Sequence, residues 1–176
     1  MEQDEGRFAA SVLPHLDAAY NLARWLVRDA HDAQDVVQDA LVRALRHFDG
    51  FRGGDPRPWL LAIVRNAAFA WLGARRPGEV EVPDDELDAA LAAGVSPCDP
   101  ESLAIRRAER HQIDAAIAAL PIAFREAVVL RELEELSYRD IARITDVPIG
   151  TVMSRLSRGR HLLAAALRPD ATRSLA

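Results

Sequence analysis

The chain has 176 residues, a hydrophobic content of 49% and a formal net charge of −5. This hydrophobic content is sufficient for a core and argues against wholesale disorder, and no apolar run reaches the roughly 18 residues that a membrane-spanning helix requires. The single cysteine, Cys98, excludes an internal disulfide and a cysteine-based metal cluster, and the acidic N-terminus lacks the layout of a signal peptide, so a cytoplasmic protein is predicted.

Charge is distributed along the chain in three blocks. Residues 1–76 contain ten arginines and ten acids, residues 77–101 contain eight acids and no base, and residues 102–176 contain twelve arginines and nine acids. Prolines and glycines recur in the middle block, as is typical of a linker. The pattern predicts two small domains, residues 1–76 and 102–176, joined by an acidic flexible linker over residues 77–101.

No segment alternates like a strand and helical spacing recurs throughout, which predicts an all-α fold of two small helical domains. A first apolar stripe runs at helical spacing from Phe8 to Leu26. Asp32 is expected to cap the next helix. The apolar face of that helix is expected to contain Val36, Val37, Ala40, Leu41, Ala44, Leu45 and Phe48.

A third helix is predicted to begin at Pro56 and Pro58, because proline suits the first turn, where no intrahelical N–H is needed. In the rear block a helix is predicted from about Glu101 to Leu120, and another begins at Pro121. A short helix capped by Ser137, a turn, and a last helix from Ile149 to about Leu167 complete the pattern, which is that of a helix-turn-helix.

In a helix-turn-helix the first helix braces the second, which lies in the major groove of DNA. A shared core is expected from Ile141, Ile144, Val147, Val152 and Leu156, with Thr151, Ser154, Arg155 and Arg158 facing outward. No acid lies between Asp146 and Asp170, and arginines can bind both phosphates and guanines. The pattern favours DNA binding over the alternative, an ordinary helical hairpin with a solvated basic face.

Two separate stretches resemble a known family. The letters LEELSY at 133–138, followed by DIA and then PIGTVxSRLxRxR from Pro148, resemble region 4 of bacterial sigma factors of the extracytoplasmic function group, within the sigma-70 family. DAQDVVQD at 32–39 resembles their region 2.2, and PWL at 58–60 with IVRN at 63–66 resembles regions 2.3 and 2.4. The likeness covers about residues 8–76 and 103–167, in the order and with the gap of the family.

The resemblance implies a partner for each half. The region 2.2 helix would dock on core RNA polymerase through Asp35, Gln38, Asp39 and Arg43, a face that would otherwise be interpreted as simply solvated. The next helix would hold the −10 promoter element, with Asn66 in contact with a base and Arg65, Arg75 and Arg76 on the backbone. Trp59 is expected in the core, whereas the sequence leaves open whether Phe69 and Trp71 face core or DNA.

Region 4 would bind the −35 element. The residues expected to contact it are Arg131, Thr151, Ser154, Arg155, Arg158 and Arg160. The chain departs from the family pattern at Met153, often Lys or Arg, and at Ala70, often Asp. Gly159 also lowers the stability of the last helix by about 1 kcal/mol relative to alanine. These departures bear on promoter sequence and affinity.

The resulting hypothesis is a sigma factor that recruits core RNA polymerase to specific promoters and initiates transcription, under the control of an anti-sigma factor. The alternative is a one-component helix-turn-helix regulator with an N-terminal sensor or dimerisation domain. A catalytic site is not predicted, because the histidines are scattered and no glycine-rich phosphate loop is present, and no cofactor or metal is predicted either. A single hydrophobic centre that buried both Arg155 and Arg158 would contradict the division into two halves.

Overall fold

The computed structural model describes residues 2–76, 78 and 103–168. The front half contains α1 (Glu2–Val12), α2 (Leu16–Val27), α3 (Ala30–His47) and α4 (Pro56–Arg75), with 3₁₀ turns at Leu13–His15 and Phe48–Gly50. The rear half contains α5 (Leu103–Ala119), α6 (Ile122–Val128), a π-helical turn (Val129–Leu133), α7 (Tyr138–Thr145) and α8 (Ile149–Ala166).

The predicted all-α fold is confirmed, since the described residues contain helices and turns and no strand. Within the same residues, no helix combines the length and the apolarity that crossing a membrane would demand. The linker predicted over residues 77–101 lies outside the described residues, apart from Gly78.

Helix boundaries follow local backbone chemistry. The first apolar stripe is divided between α1 and α2 by a 3₁₀ turn at Pro14, which has no N–H to continue a helix. The cap of α3 is Asp29 and not Asp32 as predicted, because the Asp29 carboxylate accepts the backbone N–H groups of His31 at 2.8 Å and Asp32 at 3.0 Å. These hydrogen bonds lower the pKa of Asp29. The predicted start of α4 at Pro56 is confirmed.

The front half forms a bundle in which α2, α3 and α4 pack against one another. Its largest fully buried side chains are Leu22, Leu26, Leu60, Leu61 and Leu72. The predicted apolar face of α3 is buried except that Leu41 is half-buried and Leu45 is 49% exposed. Leu45 follows the buried Ala44 by one residue, which rotates its side chain by about 100° around the helix and away from the bundle.

Helix α6 is enclosed on all sides. Every residue from Ile122 to Leu130 is buried, including Arg125 and Glu126, because α6 lies between α8 of its own half and α2 of the front half. Helix α7 packs on α4 in the same junction. The two helical domains are therefore in contact, and one continuous set of buried side chains runs through both.

Gly159 lies where α8 crosses α6. A Cβ built at Gly159 would lie 2.8 Å from Cγ2 of Val128 and 3.5 Å from Cβ of Phe124. Because Val128 is buried and β-branched, its side chain has little freedom to move aside. The glycine that weakens the helix locally is thus the residue that allows α8 to approach α6.

Gly159→Ala is expected to lower the free energy of unfolding by up to about 2 kcal/mol, since overpacking costs roughly 1–3 kcal/mol and the gain in helix propensity offsets about 1 kcal/mol of that cost. Thermal unfolding followed by circular dichroism measures the change. Gly150→Ala in the same helix is the matched control, because nothing lies within 4 Å of its added Cβ. A Gly159→Ala variant as stable as the Gly150→Ala variant would contradict the close approach of α8 to α6.

Candidate functional site

The outer face of α3 carries the residues predicted to bind core polymerase. Asp35, Gln38, Asp39 and Arg43 are all exposed, and Arg43 pairs with Asp39 at 2.6 Å. Their spacing of three and four residues places them along one side of the helix. This surface faces solvent, as the sequence predicted.

Sequence reasoning missed the apolar part of this surface. Val42 is 47% exposed and Leu45 is 49% exposed, and they follow Asp35 and Gln38 by seven residues, which returns them to the same side of α3. A signal was present, because Val42 lies outside the predicted apolar face and its neighbours one turn away on α3 include Gln38 and Arg46. The face therefore combines charges with two uncovered apolar side chains.

Three of the four residues predicted at the −10 element are exposed: Asn66 in the middle of α4, Arg75 at its end and Arg76 just after it. The guanidinium of Arg75 lies over the Trp71 ring at 4.8 Å and pairs with Asp32 at 3.4 Å. Trp71 is half-buried. One side of Trp71 packs against the core and its ring also contacts arginine side chains. The sequence could not decide between core and surface because Trp71 belongs to both.

Arg65, the fourth of these residues, lies at the junction between the halves. Its side chain is 17% exposed. Its Nε donates to Oε2 of Glu126 at 2.9 Å, and its guanidinium lies over the Phe69 ring at 4.2 Å. The Phe69 ring thus packs against one face of the Arg65 guanidinium, whose N–H groups point towards the Glu126 carboxylate in the rear half.

The helix-turn-helix has the predicted local structure. Ser137 caps α7, with its Oγ accepting the N–H of Asp140 at 3.1 Å, and Asp146 ends the helix in the left-handed conformation at φ 53°. The core residues Ile141, Ile144, Val152 and Leu156 are buried, and Val147 is half-buried.

The outward face of α8 agrees with the prediction only in part. Ser154, Arg158 and Met153 are exposed and Thr151 is half-buried. Arg155, however, is 17% exposed, and its Nη1 donates to Oε1 of Glu126 at 3.2 Å. The prediction that Arg155 faces outward is therefore wrong. Arg155 is next to the buried Leu156 on α8, and its side chain extends towards α6.

Glu126 therefore has two arginine partners, one from each half. Its side chain is 1% exposed. Burial raises the pKa of Glu126, while Arg65 and Arg155 act in the opposite direction. Sequence reasoning did not assign Glu126 a role, although a charged pair inside the apolar run IAFREAVVL was a signal of paired burial.

A second buried acid lies at the same junction. Glu134 accepts a hydrogen bond from Nδ2 of Asn21 at 2.5 Å and forms an ion pair with Arg57. Two backbone carbonyls are also bound across the halves, that of Trp25 by Arg125 at 3.2 Å and that of Ala118 by Arg28 at 3.3 Å.

The remaining two predicted −35 residues lie at the edge of the helix-turn-helix. Arg131 is half-buried, donates to the carbonyl oxygen of Leu136 at 2.8 Å and lies 5.0 Å from the Tyr138 ring. Arg160 is exposed and pairs with Glu132 at 2.6 Å. Arg160 is a residue of α8, whereas Arg131 stabilises the loop before α7.

The two halves do share a buried centre, which the sequence did not predict. Arg158 is nevertheless exposed, and Arg155 is held by a carboxylate. The single centre burying both arginines, which would contradict the division into two halves, is therefore not observed.

Known proteins similar to this chain contain both halves. The family description "Sigma-70 region 2" matches residues 12–76, and "Sigma-70, region 4" matches residues 110–163. RNA polymerase sigma-H factor of Pseudomonas aeruginosa is 36% identical over 174 residues, covering 94% of this chain and 89% of that protein. ECF RNA polymerase sigma-E factor of Escherichia coli K12 is 38% identical over 143 residues, covering 78% and 75%.

A solved structure also resembles the fold. It is the sigma factor RpoE in complex with the anti-sigma factor NepR from Bartonella quintana, with a TM-score of 0.69 at 28% identity. The similarity covers 93% of this chain and 98% of that chain.

The cap of α7 predicts a pH dependence of stability. The hydroxyl of Ser137 donates to Asp140 at 2.5 Å, which, with Arg143 beside it, lowers the pKa of Asp140 below 3.8. Because the pKa is lower in the folded state, the stabilisation is present above pH 3.8 and is lost as pH falls through the folded-state pKa. Asp140→Asn is expected to destabilise by about 0.5–1 kcal/mol at neutral pH, with the difference vanishing in acid. Urea unfolding across this pH range tests it; a difference independent of pH would contradict it.

Proposed function

The chain belongs to the sigma-70 family, in its extracytoplasmic function group, and from this membership we propose that it directs core RNA polymerase to promoters by dividing two tasks between its halves. The observation that carries the proposal is the presence of both family regions, each with its own polar surface. The outer face of α3 and the arginine-bearing face of α8 belong to different halves. One surface binds the polymerase and the other binds DNA.

Core polymerase binds the exposed face of α3. Asp35, Gln38, Asp39 and Arg43 supply charge complementarity and hydrogen bonds, and Val42 adds apolar area that is solvated in the free chain. A mixed surface of this kind suits a protein interface, which needs an apolar centre and a polar rim.

The −10 element binds along α4. Arg75 and Arg76 neutralise backbone phosphates, and Asn66 supplies an amide that can donate to and accept from a base. Phe69 and Trp71 lie beside them, and their rings offer stacking surfaces to unpaired bases once the duplex opens. Arg65 joins this set when it leaves Glu126.

The −35 element binds α8 as a duplex. Ser154 and Arg158 lie on its exposed surface, Thr151 is half-buried beside them, and exposed Arg160 follows Arg158 by two residues. Arginine recognises guanine through two parallel hydrogen bonds. Arg131 and Arg155 contact the backbone or bases from the side of α6, after exchanging their present partners for DNA.

The protein acts in the cytoplasm, where RNA polymerase works, and it has no catalytic activity of its own. An anti-sigma factor controls it, as supported by the similar structure, in which a sigma factor is bound to the anti-sigma factor NepR. An inhibitor of this kind would compete with core polymerase for the chain, and a binding competition with purified components would test it. The alternative, a one-component regulator, would bind DNA without binding core polymerase.

Separate variants are expected to separate the two tasks. Arg155→Ala with Arg158→Ala should reduce −35-dependent transcription by at least about tenfold, since each lost arginine contact costs about 1–3 kcal/mol, while core polymerase binding persists. Asp35→Ala with Asp39→Ala should weaken core polymerase binding and leave duplex binding intact. In vitro transcription and polymerase pull-down measure the two properties.

Matched controls lie outside both surfaces. Asp49→Ala removes an exposed acid just beyond α3, and Arg168→Ala removes an exposed arginine just beyond α8. Both variants are expected to behave as the parent chain. If the two double variants lost the same property, the division between the halves would be wrong.

A further inference from the structure

Two large apolar side chains lie uncovered on the first turns of α8. Ile149 is 45% exposed and Met153 is 53% exposed. Ile149 begins the helix and Met153 follows it by four residues, which places the two side chains next to each other on one side of α8. The buried residues of α8 are Val152, Leu156 and Gly159. Ile149 and Met153, the apolar strip, therefore lie outside the core.

The apolar strip adjoins the surface of α8 that we propose to bind DNA. Met153 is followed directly by Ser154, and the exposed residues Ser157 and Arg158 lie about one turn further along the helix. Helix α8 contains arginines and no acidic residue, so this side of it attracts phosphates. In a helix-turn-helix the first turns of the second helix contact the base edges. In that geometry Met153 faces bases in the major groove.

The chemistry of a methionine side chain matches one feature of the major groove. Methionine carries no charge and no hydrogen-bond donor, so Met153 can neither neutralise a phosphate nor bind guanine or adenine through two hydrogen bonds. The apolar group that a base pair exposes in the major groove is the C5-methyl of thymine. The unbranched thioether of Met153 adapts to the shape of such a group.

We propose that Met153, supported by Ile149, contacts the C5-methyl group of a thymine in the −35 element and makes this chain select an A·T pair at that position. The inference rests on the proposed function, since it takes α8 to lie in the major groove. Contact between the methyl group and the thioether removes apolar surface from water, and a G·C pair offers no methyl group there. The Lys or Arg that the family often has at this position would instead favour guanine.

A purely structural role for the apolar strip is distinguishable from this one. Isolated exposed apolar side chains are common on protein surfaces, and an apolar pair four residues apart also stabilises the helix that carries it. That stabilisation is the same whichever DNA is bound. A preference for one base over another, which depends on Met153, arises only if the side chain contacts the base.

Selection of promoter duplexes by the full chain in complex with core RNA polymerase measures the base preference. The duplexes carry randomised segments over both promoter elements. The parent complex is expected to enrich a −35 element that has a thymine, on either strand, at one position where Met153→Arg enriches guanine instead. The other positions of the element are expected to be the same in both selections.

Replacement of single thymines of the selected element by uracil removes the methyl group and leaves every hydrogen-bonding atom of the base in place. One such replacement is expected to weaken binding of the parent complex by about three- to fivefold, the value of one buried methyl group. With Met153→Ala the thymine and uracil duplexes are expected to bind equally, whereas Met153→Leu retains the preference for thymine. Leu167→Ala, which truncates an exposed apolar residue at the other end of α8, is the matched control and retains it too.

A selected −35 element in which no uracil replacement weakens binding of the parent complex overturns the inference. A preference for thymine that persists in Met153→Ala also overturns it, because another group then contacts the methyl and the apolar strip is left to a protein partner. In both cases the enriched element shows that the chain selects a −35 sequence, and the proposed function stands. If the parent complex enriches no −35 sequence, the proposed contact of α8 with DNA is wrong and the inference fails with it.

Discussion

A charged side chain buried inside a protein needs a partner of opposite charge or a hydrogen-bonding group. Helix α6 contains two adjacent side chains of this kind. Arg125 and Glu126 are buried in a helix that lies between the two halves, and their partners come from both. An enclosed carboxylate without its arginines would cost several kcal/mol. The placement of α6 therefore fixes the position of α2 and α4 on one side and of α8 on the other.

The same helix positions the DNA-binding element. Gly159 allows α8 to lie against Val128 without a clash, and Leu156 is buried on that side. Ser154 and Arg158 are consequently on the exposed side, whereas Arg155 lies at the edge and reaches Glu126. Packing, and not helical periodicity alone, decides which arginines of α8 face solvent. The contact between α6 and α8 therefore sets which face of α8 is available to the DNA that we propose it binds.

Much of the local structure could be predicted from residue spacing. Apolar periodicity predicted the helices, Ser137 and the prolines predicted where three of them begin, and the outer face of α3 was recognised by its polar residues. The cap at Asp29 was missed because Asp32 is an equally good candidate by chemistry, and only the backbone geometry distinguishes them. The roles of Glu126 and Glu134 were missed because their partners lie 61 and 77 residues away, beyond any local pattern. The contact between the halves was unpredictable for the same reason, since a long acidic connector permits many placements.

The central claim is that the free chain keeps its two halves together. Small-angle X-ray scattering of the purified, monomeric full chain tests this claim most directly. A closed chain of 176 residues is expected to have a radius of gyration near that of a compact protein of this length, about 16 Å, and a single-peaked distance distribution. A clearly larger radius with a second, longer peak in that distribution, as two separated helical domains would produce, would contradict the account.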